Sequence, residues 1–309
     1  MKIYDTIRSV VPLGRSAVAL GFFDGLHIGH FAVIERAIAQ KTKGLCPCVF
    51  TFTMHQRRPE KKPIGSELIT PSQKANLLSQ WGIALVLCPD FSEFQAMQAQ
   101  EFVEEVLVRR LHAAQVCCGE DFRFGANAMA DANDLKRLCD AHGIQVDLIP
   151  AVCIDGQRIS STQIRALLRA GEVNRANRLL GRVFGYDFQV IQGKQLGRTL
   201  DFPTINQKIP ETFIKLRYGV YASVALADGK WYPAVTNIGL RPTVEDSEAV
   251  NSETYIIGYT GDLYGQSVQV ELLEFLRDEQ KFSSVQELKM RIQADAKQAE
   301  PIALAYLNQ

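Results

Sequence analysis

Two histidines lie three residues apart near the start of the chain, in the string GFFDGLHIGHFAVIERAI. The string places an apolar strand (Val18 to Phe22), a glycine-rich turn and a helix in immediate succession, with His27 and His30 in the first helical turn. A helix N-terminus offers free backbone N–H groups and the positive end of the helix dipole, which bind phosphates, and Gly25 and Gly29 allow close approach of a ligand. Two imidazoles there can stabilise a phosphate whose charge grows in the transition state. Two histidines that merely cap a helix are the alternative.

The string RISSTQIRALLRAG predicts a second phosphate site. Ser160 or Ser161 is a natural N-cap, and Arg165 lies one helical turn after Ser161 on the same face. Hydroxyls and a guanidinium at a helix start would hold the pyrophosphate that leaves when an α-phosphate is attacked. Alone, the segment is an ordinary helix cap, and its combination with the histidine pair favours function.

The string QGKQLGRTLDFPTIN, residues 192–206, predicts a further phosphate loop. It is not a Walker A loop, because its Gly-Lys pair is followed by Gln where Ser or Thr is required. A flexible basic loop is formed by Gly193, Gly197 and Arg198. Thr204 and Asn206 are two apart on a predicted strand and face the same side, so their oxygens could bind one Mg²⁺ that bridges ATP phosphates. A turn followed by a polar strand face is the alternative.

The elements that position these residues differ between the two halves of the chain. Up to about Leu180, apolar β-prone runs alternate with helical patterns, which predicts a parallel sheet covered on both faces. The candidate strands are Ala17 to Phe22, Cys46 to Phe52, Ala84 to Leu87, Gln115 to Cys118 and Ile144 to Ile149. The candidate helices are Ala99 to Leu111, Asp134 to Ala141, Ser161 to Ala170 and Val173 to Leu180. Ligands of such sheets bind at the carboxyl ends of the strands.

From Tyr186 onward the pattern is that of antiparallel strands. Tyr221 to Leu226 and Trp231 to Asn237 flank an Ala-Asp-Gly turn, which predicts a hairpin within a barrel. A helical period with Ser283 or Ser284 as its cap predicts a C-terminal helix. We therefore expect one domain over residues 1–183 and another over residues 184–309.

The 309 residues carry 34 basic and 34 acidic side chains and a net charge of zero. Residues 1–184 hold a net charge of +4 and residues 185–309 a net charge of −4. A balanced charge argues against a nucleic-acid or anionic-membrane partner. The seven cysteines have no zinc-ligand spacing, and no targeting or membrane-spanning segment is visible. We therefore expect a cytoplasmic protein with reduced thiols.

The HxGH strand–turn–helix with the Ser-Ser-Thr-x-Ile-Arg segment resembles the nucleotidylyltransferase module of the bacterial FAD synthetase family, the bifunctional riboflavin kinase/FMN adenylyltransferases. GEDFRFG (residues 119–125) and FVEEVLVRRL (residues 102–111) strengthen the likeness. The resemblance implies a Rossmann-like fold in which His27, His30 and Arg165 are catalytic. The residues that it implies for the ATP and flavin cleft are Gly21, Phe22, Asp24, Gly25, Gly29, Asp121, Phe124, Arg158, Ser161 and Thr162.

The string at residues 192–206 resembles the riboflavin kinase signature of the same family, and NIGLRPT, GDLYGQ and FLRDEQKF extend the likeness to the C-terminus. The resemblance implies a six-stranded antiparallel barrel with a terminal helix, and a metal at Thr204 and Asn206. It implies that Glu253 is the base for the ribityl 5′-hydroxyl as that oxygen attacks the γ-phosphate. It also implies ATP contacts from Gly193, Gly197 and Arg198 and a flavin-lid contact from Arg277.

The sequence departs from the family pattern in three places. TFTMHQ (Thr51 to Gln56) stands where TFDPHP is common, and the loss of two prolines would loosen a loop beside the nucleotide. Gln192 replaces a common His, and Asp201 replaces a common Gly. A carboxylate at Asp201 could repel ATP phosphates or contact Mg²⁺, and the sequence leaves both open.

We therefore expect an enzyme that phosphorylates riboflavin to FMN with ATP and then adenylylates FMN to FAD with a second ATP, both steps with Mg²⁺. Its partners would be small molecules, with no nucleic acid and no membrane. One alternative is a riboflavin kinase whose adenylyltransferase half is altered or inactive, which the TFTMHQ segment permits. A second alternative is a non-catalytic flavin-binding sensor, against which the base at Glu253 argues, because binding alone requires none.

Overall fold

The computed structural model describes residues 1–54, 66–193, 202–241 and 249–308. The chain forms two compact units, one of Met1–Pro63 with Lys74–Ser160 and one of Ile64–Gln73 with Ser161–Gln309. The expected domains, residues 1–183 and 184–309, differ from these units in the placement of residues 64–73 and 161–183. The domain boundary itself stays a prediction.

In the described residues, the first unit is built on a sheet of six parallel strands in the spatial order β1-β4-β3-β2-β5-β6. The strands are β1 (Lys2–Tyr4), β2 (Ser16–Leu20), β3 (Cys46–Phe50), β4 (Leu85–Leu87), β5 (Ala113–Gly119) and β6 (Gln145–Ile149). Every residue of β2 is buried, as expected for a central strand covered on both faces. This arrangement confirms the α/β prediction for the N-terminal half.

The order of the strands marks one point of the sheet for ligand binding. After β2 the chain adds β3 and β4 on one side, and it then returns to place β5 and β6 on the other side. Open α/β sheets bind ligands outside the carboxyl ends of the strands where the order reverses. In this unit that point is the carboxyl end of β2, which leads directly into the histidine pair.

The helices of this part of the chain are α1 (Ile28–Ala39), α2 (Pro71–Gln80), α3 (Ala99–Glu101, continued as a π-helix by Phe102–Arg110) and α4 (Ala132–Asp140). The helical patterns expected at residues 99–111 and 134–141 are confirmed as α3 and α4. A short antiparallel pair follows β6, formed by β7 (Cys153–Ile154) and β8 (Gln157–Arg158). Among the strands and α-helices described for this part of the chain, β1, α2, β7 and β8 were not predicted. Strand β1 has three residues with no buried position, and Leu78 alone is buried in α2, so neither has a clear apolar period.

The second unit contains α5 (Ser161–Ala170), α6 (Val173–Leu180) and an antiparallel sheet in the order β10-β11-β14-β13-β12-β15-β9. Its strands are β9 (Phe184–Tyr186), β10 (Val190–Ile191), β11 (Thr204–Lys208), β12 (Gly219–Ala227), β13 (Lys230–Arg241), β14 (Ala249–Ile256) and β15 (Gln269–Arg277). Strands β9 and β10 form opposite edges, although three residues separate them in sequence. The sheet must therefore curl to bring its edges together. Within the described residues it forms a half-barrel of seven strands, where six were expected.

The hairpin of β12 and β13 is confirmed, with Asp228 at φ +49° and Gly229 at φ +75° in its turn. Two positive φ angles match the right-handed twist of the paired strands. The last helix, α7 (Val285–Leu307), is capped by Ser284, whose side chain accepts a hydrogen bond from the Glu287 N–H. It packs Ala299 and Ala303 into the apolar cluster of the sheet. In the described parts of the chain, no helix combines the length and apolar character needed to cross a membrane.

Candidate active sites

The histidine pair lies where α1 begins, after the carboxyl end of β2. His27 is the N-cap, and its Nδ1 accepts a hydrogen bond from the His30 backbone N–H at 3.2 Å. The two imidazole rings stack, with centroids 3.6 Å apart and planes at 18°. Because Nδ1 accepts, the proton of a neutral His27 imidazole lies on Nε2, which is thereby a hydrogen-bond donor. The predicted helix-start pair is thus present, as two stacked rings.

The loop between β2 and α1 has an unusual backbone. Phe23 has φ +50°, Gly25 has φ +83° and Leu26 has φ +44°. Non-glycine residues in this region cost on the order of 1–3 kcal/mol each, and such strain clusters at functional sites. The strained loop directly precedes His27, so its conformation sets where the imidazole lies.

Contacts with neighbouring side chains explain why two positions of the motif are glycine. A Cβ on Gly21 would lie 2.8 Å from the ring of Phe23, so glycine is needed for that ring to fold back over the strand end. A Cβ on Gly29 would lie 3.2 Å from the imidazole of His27. Gly29 was expected to admit a ligand, and it makes room for the His27 ring that stacks on His30.

A lysine that the sequence did not single out lies at the same strand ends. Lys74 Nζ, from α2, donates to the Phe22 carbonyl at 2.9 Å and to Thr51 Oγ1 at 2.7 Å. The neighbouring predicted residue, Asp24, is 7% exposed. No local signal marks Lys74, because α2 has a weak apolar period and follows the strands it contacts by more than twenty residues.

The predicted cleft residues beyond the loop fall into two environments. Arg158 Nη2 forms an ion pair with Asp121 Oδ2, and both side chains are more than half exposed. Phe124 is 7% exposed and belongs to the apolar core, with its ring 5.7 Å from that of Phe102 and 5.8 Å from that of Phe122. The ion pair is exposed and Phe124 packs in the core, and the cleft roles expected of these three residues stay predictions.

Helix α5 begins at Ser161, as the second motif predicted. Arg165 Nε donates to the Ser66 carbonyl at 2.7 Å. Ser161, Thr162 and Arg165 belong to the second unit, whereas the histidine pair belongs to the first. A common phosphate site for the two motifs stays a prediction.

In the half-barrel, three neighbouring strands bring polar side chains to one face. Asn206 on β11 is directly opposite Glu253 on β14, and Glu253 is directly opposite Asn237 on β13. Because alternate residues share a face of a strand, Thr204 and Tyr255 lie on this face too. A cavity of about 160 Å³ is lined by Thr204, Asn237, Glu253, Tyr255 and Arg277 among others. The structure thus brings the predicted base and one predicted metal ligand to a single cavity.

Asn206 is held closely from two sides. Its Oδ1 accepts a hydrogen bond from Asn251 Nδ2 at 3.0 Å, and both residues are buried. A Cβ on Gly193 would lie 2.5 Å from Asn206 Nδ2, so glycine is needed where this loop passes the amide. Thr204 and Asn206 offer neutral hard oxygens, which fit a Mg²⁺ that keeps phosphate and water ligands. Gly197, Arg198 and Asp201 lie outside the described residues, as do His55 and Gln56.

Arg277, expected as a flavin-lid contact, ties the end of β15 to α7. Its Nε donates to Asp295 Oδ1 at 3.0 Å and its Nη2 to Asp295 Oδ2 at 2.6 Å. The two side chains are 13% and 3% exposed, and Arg291 Nε lies 3.1 Å from Asp295 Oδ1. The pair also lines the cavity that contains Glu253, so it fixes the helical wall of that cavity.

Replacing Asp295 by alanine should lower the free energy of unfolding by about 3–5 kcal/mol, because it leaves the Arg277 guanidinium buried without its partner. Urea unfolding followed by circular dichroism measures the change. Asp278→Ala is the matched control, since it breaks an ion pair with Arg217 in which the side chains are 64% and 42% exposed, and it should leave the unfolding free energy nearly unchanged. Equal effects of the two substitutions would contradict this account.

The fold defines a protein of two differently built units, one Rossmann-like and one a curled antiparallel sheet. Residues 12–163 match the family model described as FAD synthetase, and residues 180–303 match the model described as riboflavin kinase. The chain belongs to the bifunctional riboflavin kinase/FMN adenylyltransferase family.

Relatives that carry this family name are similar to the chain over nearly its whole length. A Pseudomonas fluorescens protein is 34% identical over 309 residues, which cover 98% of each chain. An Escherichia coli K12 protein is 34% identical and covers 96% of each chain. A solved structure from Streptococcus pneumoniae, named as a macrolide-efflux protein, superposes with a TM-score of 0.83 and 29% identity over 96% of this chain and 97% of that one. These likenesses confirm the expected family and the expected pair of folds.

Proposed function

We propose that the chain phosphorylates riboflavin to FMN in the half-barrel and adenylylates FMN to FAD in the unit with the parallel sheet, with one ATP consumed in each step. The observation that carries the proposal is the register that sets Glu253 between Asn206 and Asn237 on the wall of a cavity shared with Thr204. Membership of the family and the stacked histidine pair at the switch point of the parallel sheet support the second activity.

In the kinase step, Glu253 accepts the proton of the ribityl 5′-hydroxyl as that oxygen attacks the γ-phosphorus of ATP. The bond between the γ-phosphorus and the β–γ bridging oxygen breaks, and ADP leaves with that oxygen. Thr204 and Asn206 are the residues that would hold Mg²⁺, which supplies positive charge to the transferring phosphoryl group when bound. Asn251 keeps the Asn206 amide in place through its hydrogen bond to Oδ1.

In the adenylyl step, a phosphate oxygen of FMN attacks the α-phosphorus of the second ATP, and pyrophosphate leaves. His27, through Nε2–H, and His30 donate hydrogen bonds to the phosphate oxygens as negative charge builds on them. The N-terminus of α1 adds backbone N–H groups and the positive end of its dipole. Ser161, Thr162 and Arg165 are proposed to hold the leaving pyrophosphate, and Arg158 with Asp121 to contact the flavin nucleotide.

The cytoplasm is the proposed location, with ATP, riboflavin and FMN as the partners of the chain. All seven cysteines are unpaired thiols, which supports a reducing compartment. Burial raises the pKa of the Cys117 and Cys118 thiols to about 12, so both are inert core side chains at neutral pH.

Incubating the purified protein with riboflavin, ATP and MgCl₂ and separating the flavins by chromatography tests the proposal. We expect FMN first and FAD later, with release of ADP and then of pyrophosphate. Tight flavin binding without ATP consumption would contradict the proposal and show that the protein is a non-catalytic flavin sensor. If the protein forms FMN but no FAD, even when FMN is added, it is a riboflavin kinase whose adenylyltransferase half is altered or inactive.

A further inference from the structure

The ammonium group of Lys74 joins the carboxyl ends of two neighbouring strands of the first unit. It donates to the carbonyl of Phe22, just after β2, and to the hydroxyl of Thr51, just after β3. Thr51 Oγ1 itself donates to the Phe22 carbonyl at 2.8 Å. The Phe22 carbonyl therefore accepts two hydrogen bonds, one of them from a cation, and its position is fixed by the ends of both strands.

That carbonyl lies at the start of the strained loop. The next residue, Phe23, has φ +50°, and the loop reaches His27 four residues later. A strained backbone persists only when surrounding contacts over-determine it. Lys74 and Thr51 supply such contacts at the Phe22 carbonyl, where the loop begins.

The environment of Lys74 is one in which a charge is costly. Burial lowers the pKa of its ammonium, while Cys88 and Asp24 act in the opposite direction. An apolar side chain of similar length would fill the same space without desolvating a charge. This site therefore depends on the positive charge of Lys74 and not only on the volume of its side chain. Of the two groups that oppose this lowering of the Lys74 pKa, Asp24 is a buried residue of the strained loop itself.

We propose that Lys74 is a positioning residue for adenylyl transfer. It holds the Phe22 carbonyl and balances Asp24, and through them it keeps the loop in the conformation that places His27 at the N-terminus of α1. The inference rests on the proposed function of the first unit. Lys74 itself makes no bond to the reacting atoms; its effect on the reaction passes through the loop.

Lys74→Met and Lys74→Arg separate the charge from the volume, and Lys136→Met, at an exposed position on α4, is the matched control. We expect Lys74→Met to lower kcat for FMN adenylylation by about 100-fold, the size expected when a reacting group is misplaced by roughly 1 Å. Lys74→Arg should recover most of the rate, because it keeps the charge. Lys136→Met should match the unsubstituted protein. Riboflavin phosphorylation by the same molecules reports whether the rest of the chain is intact, and it should stay unchanged in all variants.

The pH dependence gives a readout that a purely structural role would not change. A lysine with a lowered pKa keeps its charge below that pKa and loses it above, so adenylylation should fall on the alkaline side. Because arginine stays charged, Lys74→Arg should move this fall to higher pH. Full activity of Lys74→Met, or equal loss of both activities in Lys74→Met, would overturn the inference. If the unsubstituted protein formed no FAD, the proposed function itself would be overturned, and this result requires no variant.

Discussion

Replacing His30 by alanine should lower the rate of FAD formation by about 100- to 1,000-fold while FMN formation continues at its normal rate. The imidazole of His30 stacks on that of His27 at the start of α1, where the proposed α-phosphate would lie. Removal of one donor from a site that stabilises developing oxyanion charge costs on the order of 10²–10³ in rate. The kinase step uses residues of the other unit, so it should be unaffected. Chromatography of the flavins formed from riboflavin and from added FMN measures both steps in one preparation.

His30 is the better target of the two histidines. His27 is 5% exposed and caps α1 with its Nδ1, and loss of a cap costs about 1 kcal/mol of stability. A His27 variant would therefore mix a catalytic effect with a folding effect. His30 is partly exposed and is not the N-cap of α1. His142→Ala, at an exposed turn after α4 of the same unit, is the matched control and should keep both activities. Normal FAD synthesis by His30→Ala, or loss of FMN as well, would show that the assignment is wrong.

The parts of this site that are local in sequence could be predicted. Strand β2, the glycine-rich turn and α1 follow one another within 24 residues, so the strand, the cap and the helix dipole can be read from one string. The contribution of Lys74 could not be predicted from the sequence, because it depends on how α2 packs against the ends of β2 and β3. The stacking of His27 on His30 was also not predicted, since two side chains three apart can face a ligand without touching.

In the half-barrel, too, the features that are local in sequence could be predicted and those that depend on distant strands could not. That Thr204 and Asn206 share a face follows from the period of a strand, but that Glu253 lies opposite Asn206 follows from register. Strand β11 pairs with β14, although β12 and β13 lie between them in the chain. Pairing at that separation depends on packing of the whole sheet and on no local pattern. The seventh strand was missed because β9 and β10 have three and two residues, too short to show alternation.

The partner of Arg277 was missed for a similar reason. Asp295 lies 18 residues later, on a helix whose rotation decides which of its acidic side chains faces the sheet. The flavin-lid contact expected of Arg277 came from the family resemblance of the string FLRDEQKF, which carries no information on a partner elsewhere in the chain. In the structure, the buried carboxylate of Asp295 binds the Arg277 guanidinium and holds α7 against the cavity, while the flavin-lid contact stays a prediction.

Replacing Glu253 by glutamine should stop FMN formation and leave FAD synthesis from added FMN intact. Glutamine keeps the length and the hydrogen-bonding shape of the side chain but cannot accept the proton of the ribityl hydroxyl. Loss of a general base costs on the order of 10²–10⁴ in rate. Glu253 is an exposed residue on the cavity face of β14, so the substitution removes no core packing.

A second carboxylate of the same unit separates loss of the base from loss of charge. Glu300→Gln, at an exposed position on α7, removes the same charge far along the chain from β14 and should leave riboflavin phosphorylation unchanged. The two activities of one molecule then act as reciprocal controls, because His30→Ala and Glu253→Gln are expected to remove opposite products. If Glu253→Gln still formed FMN at the normal rate, the proton would have another acceptor, and the register that places Glu253 between Asn206 and Asn237 would serve binding alone. If it lost both products, Glu253 would be needed for the fold. The base would then have to be another group that lines the cavity, and Glu279 offers the same carboxylate.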